Sequence, residues 1–394
     1  MKLLMVTCRN IDKSGGENAL IMGRHISLYK EYSIKTDIVF SHKNTEVYDE
    51  STCPGIHFIE CVKDNLYHKL DELLDKKEYQ GVVVSGFNDK RFTKYIKEKR
   101  SINPFIYIVD IHSTIKEVYE YCIPDLYHIL GTRYLYIKKK LRFIETLEAV
   151  DYAFVVSNEE IVEVNRILPK NDIKFIKICC GCYAPLDLNN YFIFREKQRE
   201  LMGFDKRTLA FVYSGSTDRW QKYKETVELY KKVQETGVKS KFAFYMKLDD
   251  SEKNSLYSEL GVDNVSVRWV TPEIMKQELT AYDVGVMIRD RNWTNRVAFP
   301  NKFSDYISSG LIIGLSEAVV DPYKITQKYG IDLFDLSDVN NNVIKFSESR
   351  HNDLERYVKI CHKIVEEELL YSKQVKRNCF ELNEALNNNL MRLK

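Results

Sequence analysis

Short apolar runs, separated by longer amphipathic stretches, constrain the fold of this chain more than anything else in it. The first half carries "LLMVT", "TDIVF", "GVVVSG", "FIYIVDIH", "YAFVVS" and "FIKICC". The second carries "LAFVYSG", "FAFYMKL", "VSVRWV", "VGVMIR" and "LIIGLS". A strand that is apolar on both faces belongs to a sheet covered on both sides, and such sheets are parallel with helical crossovers. Two series of this kind imply two doubly wound α/β domains. At 394 residues the chain also exceeds what one ordinary core serves. The segment "CYAPLDLNNYF", residues 182–192, has turn residues and little periodicity, so we place the boundary there. The expected domains are 1–186 and 187–374, with 375–394 a terminal helix returning to the first domain.

Charge and composition narrow the partners. The net charge of +2 supplies no strong field, so nucleic acid is not an expected partner. The N-terminus "MKLLMVTCRNIDK" is apolar only to Cys8, too short for a secretory signal. No apolar run approaches the roughly 20 residues that span a bilayer. Nine cysteines without regular spacing point to reduced thiols and a cytoplasmic setting. Cys179, Cys180 and Cys182 in "CCGC" are either metal ligands or buried thiols. The missing second ligand pair favours thiols.

Ligands of doubly wound sheets bind outside the C-terminal ends of strands, which selects four loops. In "NIDKSGGENAL", Gly15 and Gly16 precede a helix starting near Glu17, so this is a ligand loop or a plain flexible turn. It lacks the G-x-G-x-x-G pattern of dinucleotide sites. In "VDIHSTIKEVYE", Asp110 and His112 end a buried strand; they are a proton-transfer pair or a structural one. In "VYSGSTDRWQKYKE", Gly215 and Ser216 end a strand, and Arg219 and Lys222 follow, a credible diphosphate cradle. The stretch "IRDRNWTNRVAFPNK" adds Arg289, Arg291 and Arg296 to the positive field. It leads into "AFPNKFSDYISSG", a helix with Pro300 in its first turn and Gly310 at its end. Lys302 lies in that first turn, against the helix dipole, where a bound anion would make its placement useful.

Taken in order, these motifs resemble the GT-B glycosyltransferases, and among them the retaining family 4 type. "SGG", "VDIHS", "ETLEAVDYAFVVSNEE", "FVYSGSTDRWQKY", "AYDVGVMI" and "PNKFSDYISSGLIIG" each stand where that family has a similar segment. The resemblance implies two Rossmann-like domains facing across a cleft, the first for the acceptor and the second for a nucleotide sugar. It implies catalytic roles for His112, Arg219 and Lys302. It implies donor contacts by Gly215, Ser216, Arg219, Lys222, Val270, Asn295, Phe299, Asn301, Lys302 and Asp305, the last on the ribose. It implies acceptor contacts by Gly15, Gly16, Asp110 and His112. Two positions depart from the family pattern: Val297 where many members have Glu, and Ser216 where many have Arg. No D-x-D motif is present, so no metal and no cofactor beyond the nucleoside-diphosphate sugar is expected. An inverting transferase, a sugar-phosphate epimerase and a non-catalytic sugar-binding protein of the same fold stay open.

One further stretch bears on partners. In "GTRYLYIKKKLRFIE", Leu130, Tyr134, Ile137, Leu141 and Ile144 share a helical face, with Arg133, Lys138, Lys139, Lys140 and Arg142 off it. Such a helix packs on a core with its polar side in water, or rests on an anionic inner-leaflet membrane surface. The second alternative suits a lipid-linked saccharide acceptor.

Overall fold

A computed structural model describes residues 1–7, 11, 16–40, 48–85, 90–121, 126–185 and 187–393. The chain divides into two compact units, one of residues 1–183 with 370–394 and one of residues 184–369.

The first unit has a seven-stranded sheet. Its strands are β1 (Lys2–Thr7), β2 (Lys35–Phe40), β3 (Ile56–Glu60), β4 (Gly81–Ser85), β5 (Ile106–Asp110), β6 (Tyr152–Val155) and β7 (Lys174–Lys177). Their order is β3-β2-β1-β4-β5-β6-β7, and every pairing is parallel. The second unit has β8 (Leu209–Ser214), β9 (Ser240–Tyr245), β10 (Val265–Arg268), β11 (Val284–Met287) and β12 (Ile312–Leu315) in the order β10-β9-β8-β11-β12, again all parallel. The apolar runs become these buried strands. Only β3 has no counterpart in the sequence reading: it is an edge strand, and of "IHFIE" only Ile56 is buried. An edge strand needs no continuous apolar run.

Each sheet reverses its winding once, between β1 and β4 and between β8 and β11. These are the switch points outside which such sheets bind ligands. The same device sets both registers. Asp151, just before β6, accepts from Tyr107 N at 2.9 Å and from Arg100. Asp283, just before β11, accepts from Ala210 N at 2.8 Å and pairs with buried Arg195 and Arg199. The Asp of "AVDYAFVV" and the Asp of "AYDVGVMI" are therefore sheet-building residues.

Residues 370–394 pack within the first unit. The ring of Tyr371 fills the space beside Gly23, where a Cβ would stand 2.2 Å from it. Gln374 Oε1 accepts from Cys179 N at 2.8 Å. Asn389 Nδ2 donates to Gln80 O at 3.0 Å and to Pro104 O at 3.1 Å. Cys179, Cys180 and Cys182 are buried thiols in this region.

Candidate functional site

In the second unit, three segments meet at the β8/β11 switch point. The helix Asn301–Ser308 starts after Pro300, whose φ of −67° and ψ of 137° make it the N-cap; proline has no side-chain group to cap the helix N–H groups. Phe303, Tyr306 and Ile307 are fully buried and anchor the helix. Gly310, at φ +70°, turns the chain into β12. Tyr306 OH accepts from Ser214 N at 3.0 Å, which ties the helix to the end of β8. Arg289, just past β11, is buried and donates from Nη1 to Trp220 O in the loop after β8. Its backbone N donates to Ser316 Oγ at 3.1 Å, beyond β12.

Lys302 sits at the centre. It is only 8% exposed, and its ammonium lies 4.3 Å from the centroid of the Tyr213 ring. Among the described residues no carboxylate pairs with it. Burial, with the neighbouring Arg289 charge adding to it, pushes the amine well below its ordinary range. Gly215 makes the placement possible: a Cβ there would stand 2.7 Å from Nζ. A buried cation beside a second cation, at the open end of a helix N-terminus, is costly without a ligand and favourable with an anion.

The other expected donor residues divide. Arg219 opens the 3-10 turn Arg219–Gln221 in the same loop and is exposed. Lys222, expected as a phosphate ligand, is instead engaged. It adopts the left-handed conformation at φ 55°, and its Nζ lies 2.7 Å from Glu225 and 2.8 Å from Asp290. It staples two loops, and its charge is already matched. The Ser216 hydroxyl donates to Asp218, so it too is occupied, and its carbonyl accepts from Tyr213 OH at 2.6 Å. Asn295 is buried and donates from Nδ2 to Asp290 O at 3.1 Å. Phe299 is buried against Phe303, ring centroids 5.6 Å apart. Val297, the departure from the family pattern, is buried at 1% exposure and belongs to the core. Asn301 is the first helical residue and half-buried. Asp305 is half-buried on the same helix. Burial pushes its carboxyl up to about 7, with Lys276 opposing. Val270 follows β10 and is half-buried.

In the first unit, Asp110 ends β5. Arg24, from the helix Gly16–Tyr32, grips both its oxygens, Nη1 to Oδ1 at 2.8 Å and Nη2 to Oδ2. His112 Nε2 lies 2.8 Å from Oδ2, at ion-pair distance without the alignment of a hydrogen bond. Both side chains are nearly inaccessible, at 5% for His112 and 1% for Asp110. Gly16 is the first residue of the Gly16–Tyr32 helix, and Gly15 lies outside the described residues.

No family model matches the sequence, and no curated protein matches it. Solved structures do match, over nearly the whole chain. WaaG, a glycosyltransferase involved in lipopolysaccharide biosynthesis, aligns over 96% of this chain and 99% of its own at 12% identity and TM-score 0.62. HepE from Anabaena, in complex with UDP, aligns over 98% and 100% at 10% identity and TM-score 0.67. A glycosyltransferase from Rickettsia africae ESF-5 aligns over 98% and 99% at 11% identity and TM-score 0.69. The chain has the GT-B fold.

Within this GT-B chain, two residues of the site escaped the sequence reading as such. Arg289 is expected only to add to a field, yet it is buried, bonds the loop after β8 and bears electrostatically on Lys302. Arg24 was not expected at all. Its signal is its place in "ALIMGRHISLY", on the face shared with buried Leu20 and Leu28. The helix Leu126–Leu147 corrects a further expectation. The face of Leu130, Tyr134, Ile137 and Leu141 does not pack on the core: these residues are 61%, 68%, 56% and 59% exposed. Phe143 and Leu147 supply the buried contacts instead, and Ile144 is half-buried. No helix among the described residues is long and apolar enough to cross a membrane.

Proposed function

We propose that the chain is a metal-independent, retaining glycosyltransferase of the family 4 kind. It moves a sugar from a nucleoside-diphosphate donor to a saccharide or lipid-linked saccharide acceptor, in the cytoplasm, for bacterial surface polysaccharide or glycoconjugate synthesis. One observation carries this reading: Lys302, a buried lysine without a carboxylate partner among the described residues, at the start of a helix beside the β8/β11 switch point. UDP in the HepE complex and the lipopolysaccharide role of WaaG support it by likeness of fold.

In transfer, the bond from the anomeric carbon to the diphosphate oxygen breaks and the bond to the acceptor oxygen forms. The acceptor proton passes to the departing diphosphate. Lys302, Arg219 and the free N–H groups at Asn301 stabilise the charge that grows on that leaving group. Gly215 lets the backbone and Lys302 approach it. Asp305 takes the ribose hydroxyls, and Val270 borders the base. Phe299 and Asn295 hold the segment that leads into the helix. His112, with Gly16 and Gly15, holds the acceptor; Asp110, expected to do so too, is buried with both oxygens on Arg24 and backs His112 instead. A thermal-shift screen with UDP, GDP, ADP and CMP, followed by nucleotide-sugar turnover, tests the reading. NMR of the product anomer separates retention from inversion. Turnover of no nucleotide sugar, with or without saccharide acceptors, would refute it.

The exposed row Leu130, Tyr134, Ile137 and Leu141, beside Arg133, Lys138 and Lys139, supports contact with an anionic membrane surface that presents a lipid-linked acceptor.

A further inference from the structure

The interior around the end of β5 holds a cluster of ionisable groups. Arg24 and His25 come from the helix Gly16–Tyr32, Asp110 and His112 from the strand and its exit, and Glu160 from the helix Asn158–Ile167. Burial pushes the His25 imidazole down to about 3, with Arg24 adding to the effect. Burial pushes the Glu160 carboxyl well above its ordinary range, although Val156 N donates to it at 2.8 Å. The His25 imidazole is uncharged at neutral pH, and burial favours the neutral form of Glu160. Burial also opposes ionisation of Asp110, but Arg24 and His112 outweigh it and hold the carboxyl below the usual carboxylate range. Nearby carboxylates have partners of their own: Glu117 accepts from Ser113 Oγ at 2.6 Å, and Glu163 lies 2.7 Å from Arg166. Among the described residues, Asp110 is the charged group paired with His112, and Arg24 is the charge paired with Asp110.

An Asp–His pair alone exposes the imidazole to the full charge of the carboxylate. Here a guanidinium fork occupies both carboxylate oxygens, and its flat face lies 4.2 Å from the Phe154 ring centroid. Arginine does not lose its proton, so this arrangement holds at every working pH. The short side of the fork and the imidazole share one oxygen, Oδ2.

We propose that Arg24 is a positioning residue for His112: it pins the Asp110 carboxylate, the group against which the imidazole rests, and offsets its charge there. An imidazole held with Nε2 against Asp110 has Nδ1 left for a hydroxyl of the sugar substrate. That role in turnover rests on the transferase reading; the effect on the ring does not.

The test is an NMR titration of 13C-labelled histidine, with His112→Asn used to assign the signal. In Arg24→Gln the uncompensated carboxylate favours the imidazolium, so the His112 midpoint rises by about one pH unit or more. In the double variant Arg24→Gln with Asp110→Asn that rise disappears. A folded Arg24→Gln with an unmoved His112 midpoint overturns the proposal, and so does a double variant that keeps the rise. Should Arg24→Gln not fold, Arg24→Lys decides. It keeps the charge and loses the fork, so the midpoint stays while kcat falls roughly tenfold or more at unchanged donor KM; wild-type kcat in that variant overturns the proposal. If the wild type turns over no nucleotide sugar, the transferase reading fails. The role of Arg24 is then read in Arg24→Lys as ring order: a His112 resonance as sharp as wild type overturns it.

Discussion

Replacing Lys302 by Met should make the free protein more stable and the liganded one much weaker. The side chain is 8% exposed and its amine titrates well below its ordinary range. Between the folded and the unfolded pKa the unfolded chain binds more protons, so stability rises with pH through that window. At every pH below the unfolded value the fold carries a cost, either that of the buried ammonium or that of giving up its proton. Met fills nearly the same volume without the charge and should recover about 1–3 kcal/mol. For a unit of this size that is a rise in Tm of roughly 2–10 °C. The loss on binding is larger. A unit charge about 4 Å from a phosphate oxygen contributes roughly 4 kcal/mol at an effective dielectric of 20. The nucleoside-diphosphate Kd should therefore weaken by about 10²- to 10³-fold. At a ligand concentration of 100 wild-type Kd, the stabilisation falls from about 2.7 kcal/mol to about 0.4 kcal/mol or less. The assay is a pair of melts, with and without the diphosphate that stabilises the wild type, together with kcat/KM for the matching nucleotide sugar. The opposite signs protect the test from a folding artefact. A Lys302→Met protein that melts lower than wild type, yet keeps its full ligand-induced shift, refutes the reasoning.

Three other perturbations probe neighbouring links. Gly215→Ala places a methyl group 2.7 Å from Lys302 Nζ, so diphosphate binding should weaken by roughly tenfold, about 1.4 kcal/mol, measured by calorimetry; unchanged affinity would mean that Lys302 has room to retreat. Asp305, with its carboxyl pushed up to about 7, binds more protons folded than unfolded between its ordinary range and that value. Stability is therefore lost as pH rises through this window, and Asp305→Asn should melt higher than wild type at pH 8 and equally at pH 4. A constant difference across pH would contradict the burial of that carboxyl. Changing Leu130, Tyr134, Ile137 and Leu141 together to Ser should leave the melting temperature within about 2 °C, since all four are exposed, and abolish sedimentation with vesicles containing anionic lipid. Equal sedimentation of both proteins would remove this face from the membrane reading.

What was legible in the sequence followed from local chemistry. A buried parallel strand needs a continuous apolar run, so the two sheets stood out, and edge strand β3, with one buried residue, did not. The helix at Asn301–Ser308 was readable because its proline, its apolar spacing and its glycine are all local signals. Partners distant in sequence were not. Nothing near Lys222 says that Asp290, from another loop, takes its charge. Arg24 lies 86 residues from Asp110, and a lone arginine in an apolar helix does not announce a carboxylate. The helix Leu126–Leu147 carries apolar residues on more than one side, and periodicity cannot say which side the core takes.

A crystal structure with the stabilising nucleoside diphosphate measures the site itself. The diphosphate should lie within hydrogen-bond distance of Lys302 Nζ and of the N–H groups that open the helix Asn301–Ser308, between the ends of β8 and β11. A diphosphate bound elsewhere, with Lys302 Nζ still against the Tyr213 ring and touching no phosphate, would contradict the donor site proposed here.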